Sequence, residues 1–239
     1  MIYLTGDTHG GYDAGTRFSA ADFPEGEGLT KDDFVIILGD FGYIFYPCEN
    51  AKEEFRLRDL DRKPWTTLFL DGNHENFPRL NAFPVEDWNG GKVHRIRDTV
   101  LHLMRGQVYY LEGMTFFTMG GALSIDKKFR TKNLSWWKEE IPSKEEMMEA
   151  IKNLALHKNK VDYVLTHTCP SSIVPHVVEG VVKDKTAEFL EVVFQHTAFR
   201  KWYFGHFHTD CRVDERFCCL FHEVIPLNGE DERILPSNS

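Results

Sequence analysis

No stretch of the chain approaches the ~20 consecutive apolar residues that span a bilayer, and no basic segment followed by an apolar one opens the sequence. Neither a membrane span nor a secretory leader is therefore expected. The five cysteines form no CxxC pair, and two of them are adjacent at Cys218 and Cys219. An odd, unpatterned set argues against a disulfide framework and a thiolate zinc site, and indicates reduced thiols in a cytoplasmic protein. Positive charge is also scarce: 28 Lys and Arg against 37 Asp and Glu leave a formal charge of −9. Extended nucleic-acid binding depends on neutralising phosphates and is disfavoured, so an anionic substrate would need a local positive source. Repeats, low-complexity tracts and clear linkers are absent as well.

With 239 residues and 42% hydrophobic content the chain can bury one sizeable core, and a single domain over 1–239 is expected. Apolar, β-rich runs recur at 2–6, 34–40, 66–73, 108–113, 115–121, 161–167, 201–206 and 216–224, and read as strands. Helical patterns lie at 49–63, 143–159 and 184–199, and Ser143 with Glu146 makes a capping box for the second. Strands that are nearly all apolar are buried on both faces, and their alternation with helices indicates an α/β layered fold with a partly parallel sheet. The stretch from about 75 to 135, richer in Gly, Arg and Asn, reads as an inserted hairpin region over a site.

The polar residues that end these runs are of one chemical kind. "GDTHG" (6–10) places Asp7 and His9 two apart, where side chains of an extended segment share a face. "VIILGD" ends at Asp40, "LFLDGNHE" reaches Asn73 and His74, "YVLTH" ends at His167, and "WYFGHFH" supplies His206 and His208. Taken alone, the first stretch is an ordinary turn; five runs ending in Asp, Asn or His are not. In open α/β sheets ligands bind at the carboxyl ends of strands. Oxygen and imidazole donors without thiolate suit Mn, Fe, Zn, Ni or Co, and seven donors are too many for one tetrahedral zinc. Two ions sharing a bridging carboxylate would account for them.

In this order, "GDTHG", "GD" at 39–40, "GNHE" at 72–75, "TH" at 166–167 and "GHFH" at 205–208 resemble the five motif blocks of the calcineurin-like metallophosphoesterase superfamily, in particular its small bacterial and phage members. The resemblance implies a two-sheet β-sandwich flanked by helices, with a dinuclear metal site at the strand C-terminal ends. It implies one ion on Asp7, His9, Asp40 and His208, and a second on Asp40, Asn73, His167 and His206. Asp40 would bridge, and manganese is the expected ion. Two ions ~3.5–4 Å apart can lower the pKa of a bridging water and clamp a phosphoryl group. The implied reaction is hydrolysis of a phosphomonoester or phosphodiester by that hydroxide, on a small phosphorylated substrate such as a nucleotide. His74, outside the metal shell, would protonate the leaving oxygen or stabilise its charge.

The sequence departs from the protein phosphatases of this superfamily at 39–45, where "GDFGYIF" stands in place of "GDxVDRG". The partner that orients His74 and the arginine that contacts phosphate must come from elsewhere. Arg130, in "GGALSIDKKFRTKNLSWW" (120–137), is the candidate for the phosphate, with Lys127 and Lys128 read as solvated. His94, His102, His157, His176, His196 and His222 are read as structural, and Cys169 as no nucleophile. The competing function is a noncatalytic scaffold of the same fold acting in protein interaction, which would be marked by lost ligand positions. A metallo-β-lactamase-type hydrolase would need "HxHxDH", which is absent.

Overall fold

The computed structural model describes residues 1–180 and 184–227; the end of the expected 1–239 domain, 228–239, lies outside them. Among the described residues thirteen strands occur in chain order: β1 (Ile2–Thr5), β2 (Phe34–Ile37), β3 (Thr66–Phe69), β4 (Val85–Trp88), β5 (Gly91–Arg97), β6 (Val100–Leu103), β7 (Gln107–Leu111), β8 (Met114–Met119), β9 (Tyr163–Thr166), β10 (Lys201–Phe204), β11 (Cys211–Arg212), β12 (Phe217–Cys219) and β13 (Val224–Pro226). The α-helices are α1 (Ala51–Arg62), α2 (Phe77–Leu80), α3 (Lys144–Leu156) and α4 (Lys185–His196). The strands form a seven-stranded sheet, β13-β1-β2-β3-β6-β5-β4, and a six-stranded sheet, β11-β12-β10-β9-β8-β7. Both are mixed. β1, β2, β3 and β6 run parallel in the first, and β8, β9, β10 and β12 in the second, with antiparallel strands at the edges.

Alternation along each strand explains the sandwich. Ile2 and Leu4, Ile36 and Leu38, and Leu68 and Leu70 point inward to meet Tyr163, Leu165 and Tyr203 of the other sheet in one core. The residues between them point outward: Ile37 and Phe69 pack on Leu57 and Leu60 of α1, and Val164, Trp202 and Phe204 pack with Leu154 of α3 and Leu190 and Val193 of α4. Strands covered on both faces are nearly uniformly apolar, which is how they read in the sequence. α3 begins with the expected capping box, Ser143 accepting from the Glu146 amide at 3.1 Å and Glu146 accepting from the Ser143 amide at 2.7 Å.

Two expectations are corrected. Residues 84–103 are not a hairpin over a site: β4 and β5 extend the edge of the first sheet, and β6 returns to pair in parallel with β3. The later part of that stretch, after β8, is what reaches the ligand residues. The run 216–224 is two strands on different sheets, because the chain leaves β12 at Leu220 and crosses the sandwich edge before β13 pairs with β1.

Candidate metal centre

The parallel strands of both sheets present their carboxyl ends to one edge of the sandwich. β1 leads to Asp7 and His9, β2 to Asp40, β3 to Asn73 and His74, β9 to His167, and β10 to His206 and His208. All seven expected ligand residues and His74 come together there. Ligand atoms of Asp7, His9, Asp40 and His208 lie within 4.8 Å of one another. His9 Nε2 is 3.1 Å from Asp40 Oδ2, and His208 Nε2 is 3.2 Å from Asp7 Oδ2. On the other side of Asp40, His167 Nε2 lies 3.5 Å from Oδ1 and 3.1 Å from Asn73 Oδ1, with the His206 ring packed at 4.9 Å from that of His167. Asp40 therefore turns one carboxylate oxygen to each group of ligands.

These residues fit a pair of cations. Asp7 Oδ2 is buried and accepts no well-directed hydrogen bond, with the His208 imidazole 3.2 Å away, an arrangement that favours a compensating positive charge. Burial would push the Asp40 carboxyl up, but His167 and His74 outweigh it and hold it well below the usual range. Asp7 is likewise lowered, against burial, by His208 and His167. The cost of burying two carboxylates reappears on His167: burial opposes its charge, yet Asp40 and Asp7 push it up to about 10. A proton on that imidazole does what a bound cation would do in its place. Burial, reinforced by His167, brings His206 down to about 3, which leaves its ring neutral.

The local backbone is built around this convergence. His9, Asp40, His206 and His208 all have left-handed φ, at 43°, 43°, 72° and 50°, a conformation that costs a non-glycine residue about 1 kcal/mol or more. The motif glycines make room for side chains. A Cβ on Gly72 would overlap the Asp40 carboxylate, and one on Gly39 the His167 ring.

Several supporting residues escaped the sequence reading. Asp13 Oδ2 lies 2.6 Å from His9 Nδ1, and the Leu38 carbonyl 2.9 Å from His167 Nδ1. Both turn the Nε2 of their histidine inward, as metal-binding imidazoles require. Asn73 Nδ2 donates to Ser124 Oγ at 3.1 Å, and Ser124 Oγ donates to Glu140 Oε2 at 2.6 Å, which leaves Asn73 Oδ1 facing His167. Glu75, the last residue of "GNHE", accepts from the Phe41 amide at 2.7 Å and braces the turn after Asp40; burial, with Asp40 and Asp71 nearby, pushes its carboxyl well up. Asp13 had a faint signal, four residues after His9. Ser124 and Glu140 had none, since no fixed spacing ties them to Asn73.

His74 stands apart from the ligands, its Nε2 4.0 Å from Asp40 Oδ2. Arg130 lies beside it. Its Nη2 touches both ring nitrogens of His74, 3.0 Å from Nδ1, while its Nε donates to Asp126 at 2.8 Å. Burial, with Arg130 and His9 adding to it and Asp40 opposing, lowers the His74 imidazole. His74 lines a cavity of about 910 Å³ with Leu123, Ile125, Val178 and Phe207. Of the remaining histidines, His94 and His102 are buried and joined Nδ1 to Nδ1 at 2.9 Å, and His102 Nε2 lies 3.0 Å from Asp71. The five cysteines are free, and Cys169 is buried.

No helix of the described residues is long and apolar enough to cross a membrane. Among curated proteins no significant match to the sequence is found. Residues 1–210, which carry every ligand residue and all the parallel strands except β12, match the calcineurin-like phosphoesterase family, and the chain belongs to it.

Proposed function

We propose that the chain hydrolyses a phosphomonoester or phosphodiester of a small phosphorylated molecule, with nucleotides among the candidate substrates, at a centre of two divalent ions. Family membership supports metal-dependent phosphate ester hydrolysis in general. The observation that carries the two-ion reading is Asp40, whose Oδ2 faces His9 and whose Oδ1 faces His167. Asp7, His9, Asp40 and His208 would hold one ion and Asp40, Asn73, His167 and His206 the other. Manganese is the ion proposed first, with Fe, Zn, Ni and Co as alternatives for the same donors. When bound, two such ions acidify a water and neutralise phosphoryl oxygens, and so supply the positive charge that a protein of net charge −9 otherwise lacks.

The chain's own residues do the rest. His74 lies within reach of the leaving oxygen of an ester seated against the centre, and donates a proton or hydrogen bond to it. Arg130 keeps the His74 ring in one orientation and places a fixed positive charge beside the phosphoryl group. Asp13, Ser124 and Glu140 hold two ligand side chains in their working orientation. A complete ligand set beside an open cavity favours this reading over a noncatalytic scaffold. Buried free thiols at Cys169, Cys218 and Cys219 suit a reducing cytoplasm.

A turnover panel of monoesters, diesters and dinucleoside polyphosphates with manganese-loaded protein tests the proposal. Chelation should abolish hydrolysis and manganese restore it. Full activity in protein shown by elemental analysis to be metal-free would refute it.

A further inference from the structure

The large cavity opens onto the ligand residues. A second groove, of about 240 Å³, reaches His9 and His74 between the loop after β2 and the first turns of α1. Its chemistry is different. The large cavity carries the acids Asp13, Asp126, Glu179 and Asp184. The groove carries rings, Tyr12, Tyr43, Phe45 and Tyr46, and two cations, Lys52 and Arg56. Lys52 and Arg56 are four apart on α1 and so share a helix face. Arg56 Nη1 donates to the Gly10 carbonyl, and among the described residues neither cation pairs with a carboxylate.

The single acid of the groove, Glu53, is already committed. Its Oε1 accepts from the Phe45 and Tyr46 amides at 2.7 and 2.9 Å, and its Oε2 pairs with Arg79 at 2.7 Å. It is also 4% exposed. What faces the opening is thus two uncompensated positive charges in a chain of net charge −9, reinforced by the amino end of the twelve-residue α1. Tyr12, 85% exposed, lines both openings beside His9. Large rings left in water beside cations are suited to stacking a planar group that carries an anion.

We propose that this groove seats a second phosphate on a nucleoside-like arm of the substrate, so that the preferred esters carry an anion remote from the phosphorus under attack. The proposal rests on the phosphoester reading above and names its substrate class. The test uses the full, manganese-loaded chain with two diesters that share one scissile bond: the p-nitrophenyl ester of thymidine 5′-phosphate, with and without a 3′-phosphate. The 3′-phosphorylated ester should be favoured roughly tenfold or more in kcat/KM, mainly through KM, which is the effect of one good charge-assisted contact. Lys52→Gln and Tyr46→Ala should each pull that ratio toward one. Lys152→Gln makes the same change in net charge on the exposed face of α3, where Lys152 pairs with Glu149, and should leave the ratio as it is. A wild-type ratio near one, a ratio that survives Lys52→Gln, or an equal shift from Lys152→Gln would overturn the groove while leaving ester hydrolysis intact. Hydrolysis of p-nitrophenyl phosphate but of neither diester would overturn the groove alone, and hydrolysis of none of the three by protein that holds its metals would overturn both readings.

Discussion

Ser124→Ala removes one hydroxyl that touches no substrate, and its effect should nevertheless appear in metal binding. The hydroxyl accepts from Asn73 Nδ2 at 3.1 Å and donates to Glu140 Oε2 at 2.6 Å, and Glu140 is fully buried. Without it, Asn73 can rotate its amide and turn nitrogen, which cannot bind a cation, toward His167. The lost neutral hydrogen bond is worth about 1 kcal/mol and the charge-assisted one about 1.5–3 kcal/mol, so roughly 2.5–4 kcal/mol is lost from the folded state. The part expressed as ligand misorientation should weaken the Asn73 ion about 10–100-fold, the usual penalty for losing an outer hydrogen bond to a ligand. Calorimetric titration of metal into chelator-stripped protein reads this directly: one of two binding events weakens, and the one on Asp7, His9 and His208 does not. Ser124→Thr keeps the hydroxyl and should restore the affinity. Unchanged affinity for both ions in Ser124→Ala, in protein that is folded by circular dichroism, would refute the orienting role.

Asp40→Asn should cost more than any other single ligand change, and more than the 10–100-fold of an outer-shell substitution, because it weakens both sites; two fully occupied ions with a normal rate would refute the bridge. His74→Ala should keep near-normal metal content while turnover falls, with a larger loss on an alkyl ester, whose leaving oxygen needs a proton, than on a nitrophenyl ester at the same pH. Equal losses on the two would assign His74 to phosphate binding, and loss of a metal would refute its place outside the ligand set. Arg105→Met should destabilise the fold by about 3–5 kcal/mol, because it strands the buried Asp71 carboxylate that Arg105 holds at 2.8 and 2.5 Å; at about 2–4 °C per kcal/mol this lowers Tm by roughly 6–20 °C. Burial alone would raise Asp71, but Arg105 and His102 hold it well below the usual range. Without Arg105 burial raises the Asp71 carboxyl, so the variant takes up a proton as pH falls toward the unfolded pKa and sheds the cost of the stranded charge, while the wild type stays ionised; the Tm gap should narrow from pH 7 toward pH 4. A gap that is small at pH 7, or that widens on acidification, would refute the pairing.

What the sequence made legible was what period and strand ends encode. β1, β2, β3, β9 and β10 are short apolar runs whose next residues are the ligands, and the parallel layout sends all five ends to one edge. Chain order and residue type were therefore enough to gather Asp7, His9, Asp40, Asn73, His167, His206 and His208. β5 and β6 were missed because 91–103 alternates buried apolar residues with His94, Arg95 and His102. That pattern reads as polar until Asp71, 31 residues before His102, is seen to meet that ring in the interior. A buried ion pair leaves no periodic trace.

The orientation of the ligands was not legible for a related reason. Asp40 reaches both groups of histidines only because its own φ is positive, and that conformation is imposed by contacts from two other motif blocks. Its carbonyl accepts from the His9 amide at 2.8 Å, its Oδ1 accepts from the His74 amide at 2.8 Å, Glu75 holds the next amide at 2.7 Å, and Gly72 clears the space beside its carboxylate. Each of these is a pairing between motif blocks rather than a property of one. A sequence can therefore show which side chains arrive at the centre. Which oxygen or nitrogen each presents is fixed only when the blocks close on one another, and it is there, at Ser124, Glu140 and Asp13, that substitutions outside the motifs should change metal affinity without changing a single ligand.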